Sequence, residues 1–156
     1  IYHMAKKYQK SALEQLDTSL IRFAPLREVP PPRNGWIRAL RDALGMSGRQ
    51  LGKRLGVSKM RVADMERAEV AGATSLKTLR RAAEAMDCVL VYALVPKTSL
   101  KETVRKQARH KARQDTARAA HTMGLEDQAL TGEESGKAME MATESLLEKM
   151  PKTLWD

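Results

Sequence analysis

Residues 47–66 read Ser-Gly-Arg-Gln-Leu-Gly-Lys-Arg-Leu-Gly-Val-Ser-Lys-Met-Arg-Val-Ala-Asp-Met-Glu. The spacing is that of two short helices joined by a tight turn, in which the second helix enters a DNA major groove and the first holds its crossing angle. Ser47 and Gln50 form a capping box, the serine oxygen accepting the Gln50 N–H and the glutamine side chain reaching back to the Ser47 N–H. Leu51 and Leu55 share a face, and Gly52 lies between them where two helices must approach with no side chain in the way. Gly56 supplies the turn, because the chain leaves the first helix with positive φ. Val57 seals the underside and Ser58 caps the second helix.

At 100° per residue, Val62 and Met65 point inward and Met60, Ala63, Asp64 and Arg67 outward, as neighbours of base edges. Lys59 and Arg61 fall on the shoulders of the first turn, within reach of phosphates on either side. Ala63 lets the helix sit close and offers a methyl to thymine, whereas Asp64 accepts from a cytosine amino group and repels phosphate, a selective role. The expected DNA contacts are therefore Ser58, Lys59, Met60, Arg61, Ala63, Asp64 and Arg67, with Ser47, Arg49 and Gln50 near phosphates. The plain alternative is a helical hairpin with a solvated basic face; against it, caps, turn glycine, small residue and inward apolar positions all agree.

The stretch from Trp36 to about Met86 resembles the Cro/repressor-type (Xre) helix-turn-helix family. The matching residues are Leu51-Gly52, Leu55-Gly56-Val57-Ser58, Val62 and Glu66, followed by a helix over Ser75-Leu-Lys-Thr-Leu-Arg-Arg-Ala-Ala-Glu-Ala-Met86. Gly48 departs from the family, which usually carries a glutamine beside the phosphate backbone, and moves that contact to Arg49 or Gln50. Further stretches, Gly35-Trp-Ile-Arg-Ala-Leu-Arg41, Leu90-Val-Tyr-Ala-Leu-Val-Pro96, His121-Thr-Met-Gly-Leu-Glu-Asp-Gln128 and Leu154-Trp-Asp156, resemble the mobile mystery protein A family. That resemblance implies a helix-turn-helix regulator or antitoxin encoded beside a Fic-domain protein, hence a Fic-domain partner. Fic-domain proteins are often restrained by a helix with Ser or Thr, three residues, Glu, then Gly or Asn. Thr122-Met-Gly-Leu-Glu126-Asp127 is similar to this pattern, which makes Glu126 a partner-binding candidate, although Asp127 breaks its last position and Thr98 to Glu102 has the same spacing.

The chain has 156 residues, a net charge of +9 and 4% aromatic residues, which suits one modest core of Leu, Val, Ala and Met with extensions. Charge is uneven: residues 1–121 hold 25 Lys/Arg and 11 Asp/Glu, whereas residues 122–156 hold 3 and 8. A basic body suits phosphate, and an acidic tail suits a basic protein or solubility. Cys88 stands alone, so no intrachain disulfide forms, and beside Val89 and Leu90 it reads as an inert core thiol. No run of 18 apolar residues and no signal pattern are present, which predicts a soluble bacterial protein of the cytoplasm, nucleoid-associated when DNA-bound, with no membrane partner. Ile1-Tyr2-His3 before Met4 reads as an expression remnant.

Leu13, Leu16, Leu20 and Phe23 predict an amphipathic helix over residues 5–24, stopped by Pro25 and followed by the connector Pro30-Pro-Pro-Arg-Asn-Gly35. Trp36, Ile37, Leu40 and Leu44 begin the DNA unit. Residues 88–95 read as a buried strand. A lone strand leaves backbone groups unpaired, so Val89, Leu90, Val91, Tyr92 and Ala93 are expected to pair with the same strand of a second copy and make a homodimer. A last helical stretch, or a strand paired within the chain, is the alternative. Ser99 and Glu102 open a long helix to about His121, whose Lys101, Arg105, Lys106, Arg109, Lys111, Arg113 and Arg118 suit either flanking DNA backbone or solvent. A helix over 133–149 carries the stripe Met139, Ala142, Leu146 and Met150, and Trp155 is a candidate anchor for a partner pocket.

No catalytic, cofactor or metal site is expected. His110 and His121 lie about 16 Å apart along one helix, Cys88 has no ligand companion, and no Gly-rich phosphate loop or nucleophile elbow occurs. The expected architecture is mostly α: a five-helix Xre/Cro-like helix-turn-helix domain, one dimerising β-strand and C-terminal helices. Its expected divisions are an arm and linker (1–34), the DNA-binding domain (35–96), a basic helix (97–123) and an acidic tail (124–156). The expected function is sequence-specific repression at a palindromic operator in double-stranded DNA, autoregulating its own operon, with the further role of antitoxin in a Fic-type toxin-antitoxin module that the resemblance implies. The alternative is a protein-interaction module that inhibits a Fic-domain partner without specific DNA reading.

Overall fold

Four serines stand directly before four helices, and each hydroxyl accepts a backbone N–H three residues on: Ser47 from Gln50, Ser58 from Arg61, Ser75 from Thr78 and Ser99 from Glu102, at 3.0–3.2 Å. Each removes one of the orphan donors of a helix start, a contribution of about 1 kcal/mol per cap. The computed structural model describes residues 2–123 and 132–156. Its α-helices are α1 (Tyr2–Leu20), α2 (Trp36–Ala43), α3 (Gly48–Leu55), α4 (Lys59–Val70), α5 (Leu76–Ala85), α6 (Leu100–Met123) and α7 (Gly132–Lys149), with 3-10 helices at Ile21–Glu28 and Lys152–Trp155. The chain divides into two compact units, Pro25–Leu94, and Ile1–Ala24 together with Val95–Asp156.

The first unit packs α2 to α5 around Ile37, Leu51, Leu55, Val62, Met65, Ala82 and Met86. Leu51 and Val62 are fully enclosed, and each contributes about 2 kcal/mol through the apolar surface it withdraws from water. Cys88 packs against this core, half-buried. The fold differs from expectation here in two ways. Four α-helices rather than five lie in the unit. The expected strand over residues 88–95 is not formed, and among the described residues there is no strand at all. Its composition favours strand, yet a strand exists only by its ladder bonds, and among the described residues no segment pairs with it. Val89, Val91, Tyr92 and Leu94 are exposed instead, as is Ala93, while Leu90 is half-buried. The dimerising strand through Val89, Leu90, Val91, Tyr92 and Ala93 is thereby withdrawn.

The second unit is built on two alanines. Ala108 and Ala112 of α6 are buried, and their small side chains let α7 approach closely. Thr143 of α7 is also buried, its hydroxyl satisfied by the Met139 carbonyl at 2.8 Å. Leu154 closes the unit, and Gln107 Nε2 donates to its carbonyl at 2.8 Å. Asp17 of α1 caps α6 from a distance in sequence, its carboxylate accepting from the N–H groups of Leu100 (2.7 Å) and Lys101 (3.0 Å). A carboxylate at this end also meets the positive pole of the helix dipole. Pro25 acts earlier than expected: α1 ends at Leu20, and the chain passes through the proline as a 3-10 helix. Proline lacks an N–H and crowds the carbonyl four residues before it, which removes the α-helical bond ahead of the ring.

The basic and acidic helices meet within this unit. Arg105 bonds Glu144 and lies 3.6 Å from Glu140, and Arg109 lies 3.8 Å from Glu140. The Glu144 carboxylate holds the Arg105 guanidinium above its usual pKa. Part of the acidic tail thus serves the chain's own basic helix. Among the described residues no helix is long and apolar enough to cross a membrane.

Candidate nucleic-acid interface

The α3–turn–α4 geometry follows from local chemistry. Ser47 and Gln50 complete the capping box, the Ser47 N–H donating to Gln50 Oε1 at 2.7 Å. Gly56 takes φ 69° at the end of α3, and Val57 N–H returns to the Gly52 carbonyl at 2.8 Å. Gly52 is the steric gate: a Cβ there would lie 2.6 Å from the Val57 carbonyl oxygen and within 3.4 Å of Ser58 backbone atoms. What it clears is the backbone of the turn, rather than the neighbouring helix that the sequence suggested. Gly52→Ala gains about 1 kcal/mol of helix propensity but forces backbone apart, at a cost of up to about 3 kcal/mol. The expected net loss is about 2 kcal/mol, read by urea denaturation; a stabilised variant would show that the turn yields freely.

Two carboxylates of α4 lock it onto α2. Glu69 caps α2, accepting from the N–H groups of Trp36 (2.8 Å) and Ile37 (2.9 Å). Gly35 leaves room for it, since a Cβ there would sit 2.8 Å from Glu69 Oε2. Glu66 accepts from Arg41 Nε at 2.6 Å, and the same guanidinium donates to the Met46 carbonyl at 2.9 Å. The hydrogen bond to Glu66 raises the Arg41 pKa above its ordinary value. Two arginines do the equivalent work between α3 and α5: Arg54 donates to Ala85 O at 3.0 Å and Arg81 to Leu55 O at 3.1 Å. Each satisfies a carbonyl at a helix C-terminus, where positive charge is favoured.

With α4 held on its inner side by Val62, Met65 and Glu66, all buried, its other side is free. Lys59, Met60, Arg61 and Arg67 are exposed, while Ala63 and Asp64 are half-buried. Asp64 and Arg67 form an ion pair, so the two act as one group rather than two separate contacts. The Lys59 stem lies over Gly48, 3.5 Å from where a Cβ would be, which brings this lysine to the start of α3. Arg49 is exposed there, whereas Gln50 is engaged in the capping box. Ser58 accepts from the Arg61 N–H and keeps its own hydroxyl proton to donate. Trp155 is exposed in the other unit, beside the buried Leu154. Glu126 lies outside the described residues. Among the described residues no group of three His, Cys, Asp or Glu is placed to hold a metal ion.

Sequence reading missed Glu69, Arg41, Arg54 and Arg81 as positioning residues. Arg41 carried a usable signal, because it sits on the same helix as the core residue Ile37 and must find a partner if half-buried. A capped first helix, a left-handed glycine turn and a second helix clamped so that one polar face stays open define a helix-turn-helix unit. Residues 37–92 match the model of the helix-turn-helix family HTH_3, an Xre/Cro-type domain found in DNA-binding transcriptional regulators. No curated protein and no solved structure matches the chain.

Proposed function

We propose that this protein is a cytoplasmic, sequence-specific transcriptional repressor that binds a palindromic operator, its own promoter included, as a homodimer. The observation that carries the reading is the clamping of α4 by Glu66 and Glu69, which leaves Lys59, Met60, Arg61 and the Asp64–Arg67 pair presented together. Preorganised side chains discriminate bases, whereas a mobile cationic helix gives only salt-sensitive attraction. Exposed Val89, Val91, Tyr92 and Leu94 support association of two copies through apolar side chains, without a strand. Two recognition helices would then read half-sites roughly 34 Å apart.

The resemblance to the mobile mystery protein A family supports a second role, as antitoxin of a Fic-domain protein. Trp155, 60% exposed at the chain end, is the anchor available for such a partner. A footprint on DNA upstream of the gene, with competition by scrambled duplex, tests the main reading. Protection of two half-sites about ten base pairs apart is expected. Equal affinity for operator and scrambled duplex overturns it, and retained inhibition of the Fic-domain protein in that case would favour a pure interaction module.

A further inference from the structure

α6 carries seven cations and two carboxylates, and the structure sorts them by face. Arg105 and Arg109 turn toward Glu140 and Glu144 of α7. Asp115 lines the cleft between the same two helices, with Ala112, Ala142 and Leu146. Glu102 sits half-buried in the first turn. Of the five cations left, Lys101, Lys111 and Arg118 fall on other parts of the helix, while Lys106 and Arg113 share an outer stripe with His110, Gln114 and Ala117, all exposed, at three- and four-residue spacing. His110 and Gln114 hydrogen-bond to each other at 3.1 Å, and neither Lys106 nor Arg113 has a carboxylate partner among the described residues.

We propose that this outer stripe is a second contact for the DNA phosphate backbone, separate from the recognition helix and indifferent to sequence. The inference rests on the DNA-binding reading above and extends it to the other unit. Pairing of Arg105 and Arg109 with α7 neutralises the side that packs, and the stripe keeps two exposed cations, Lys106 and Arg113, with no carboxylate on the same face to oppose a phosphate. Lys106 and Arg113 lie about 10 Å apart along the helix, about three phosphate steps of one strand measured along the duplex axis. Only residues 95–99 separate α6 from the DNA-reading unit in sequence, and so short a tether gives the stripe a high effective concentration at any duplex the first unit holds. An anionic membrane surface is the poorer fit, because a helix lying in that interface needs a bulky apolar face, and the stripe offers none.

The test is the salt dependence of affinity of the full chain for a duplex it selects from a random pool. Lys106→Ala/Arg113→Ala is expected to lower the slope of log affinity against log salt by about 1.8, at about 0.9 per phosphate contact, with base preference unchanged. Arg105→Ala/Arg109→Ala is expected to leave the slope as it is, because those cations are already spoken for. An unchanged slope in the first variant, or an equal fall in both, overturns the proposal while specific binding by the native chain upholds the wider reading. Absence of duplex binding by the native chain overturns both. Binding to phosphatidylserine vesicles that depends on Lys106 and Arg113, with the DNA slope unaffected, overturns it in favour of a membrane. Equal thermal midpoints of native chain and first variant exclude misfolding.

Discussion

Glu66→Ala is expected to lower the stability of the DNA-reading unit by about 3 kcal/mol, read as a fall in the urea midpoint without change of slope. The side chains of Arg41 and Glu66 are only 13% and 11% exposed, so loss of the carboxylate strands a guanidinium in a place where water cannot replace it. The figure sits at the low end for a broken buried pair because Arg41 keeps Asp42 at 2.9 Å and the Met46 carbonyl at 2.9 Å. Replacing both partners with apolar residues of similar volume, Arg41→Met with Glu66→Leu, is expected to cost far less, since no charge is then left alone. A double variant as unstable as Glu66→Ala would assign the loss to packing. The elevated pKa of Arg41 fixes the pH behaviour. Its stabilisation is complete at any pH below the unfolded value and fades only in strong alkali, so the arginine adds no pH dependence near neutrality.

The same pair marks how far the sequence could be read. Ser47, Gln50, Gly56 and Ser58 act within four residues of themselves, and their roles as box, turn and cap were visible from spacing alone. Glu66 and Glu69 act on partners 25 and 32 or 33 residues away, a distance that no local pattern encodes. Gly52 was legible as a place needing no side chain, but the atom it spares, the Val57 carbonyl, depended on the turn's path. Residues 88–95 failed for a different reason. Their β-branched composition describes a preference of single residues, whereas a ladder is a property of two segments, and among the described residues no second segment lies alongside. The basic helix was legible only in outline. Charge counting treated Arg105 and Lys106 alike, while their positions on the helix, one facing Glu144 and the other solvent, separate them.

Lys59→Ala/Arg61→Ala is expected to weaken operator binding about 100-fold, or about 2.7 kcal/mol, and to flatten the salt slope by about 1.8. Both side chains are exposed, so folding stability should stay within about 0.5 kcal/mol of the native chain. The cap that starts α4 survives, because Ser58 accepts from the backbone N–H of Arg61 and not from its side chain. Loss of affinity would therefore report lost phosphate contacts rather than a displaced helix. Base preference among the sequences still bound should persist, since Met60, Ala63 and the Asp64–Arg67 pair are untouched. Competition titration against scrambled duplex separates these effects. Full affinity in the double variant would remove the first turn of α4 from the interface, and the groove-facing role proposed for this helix would go with it.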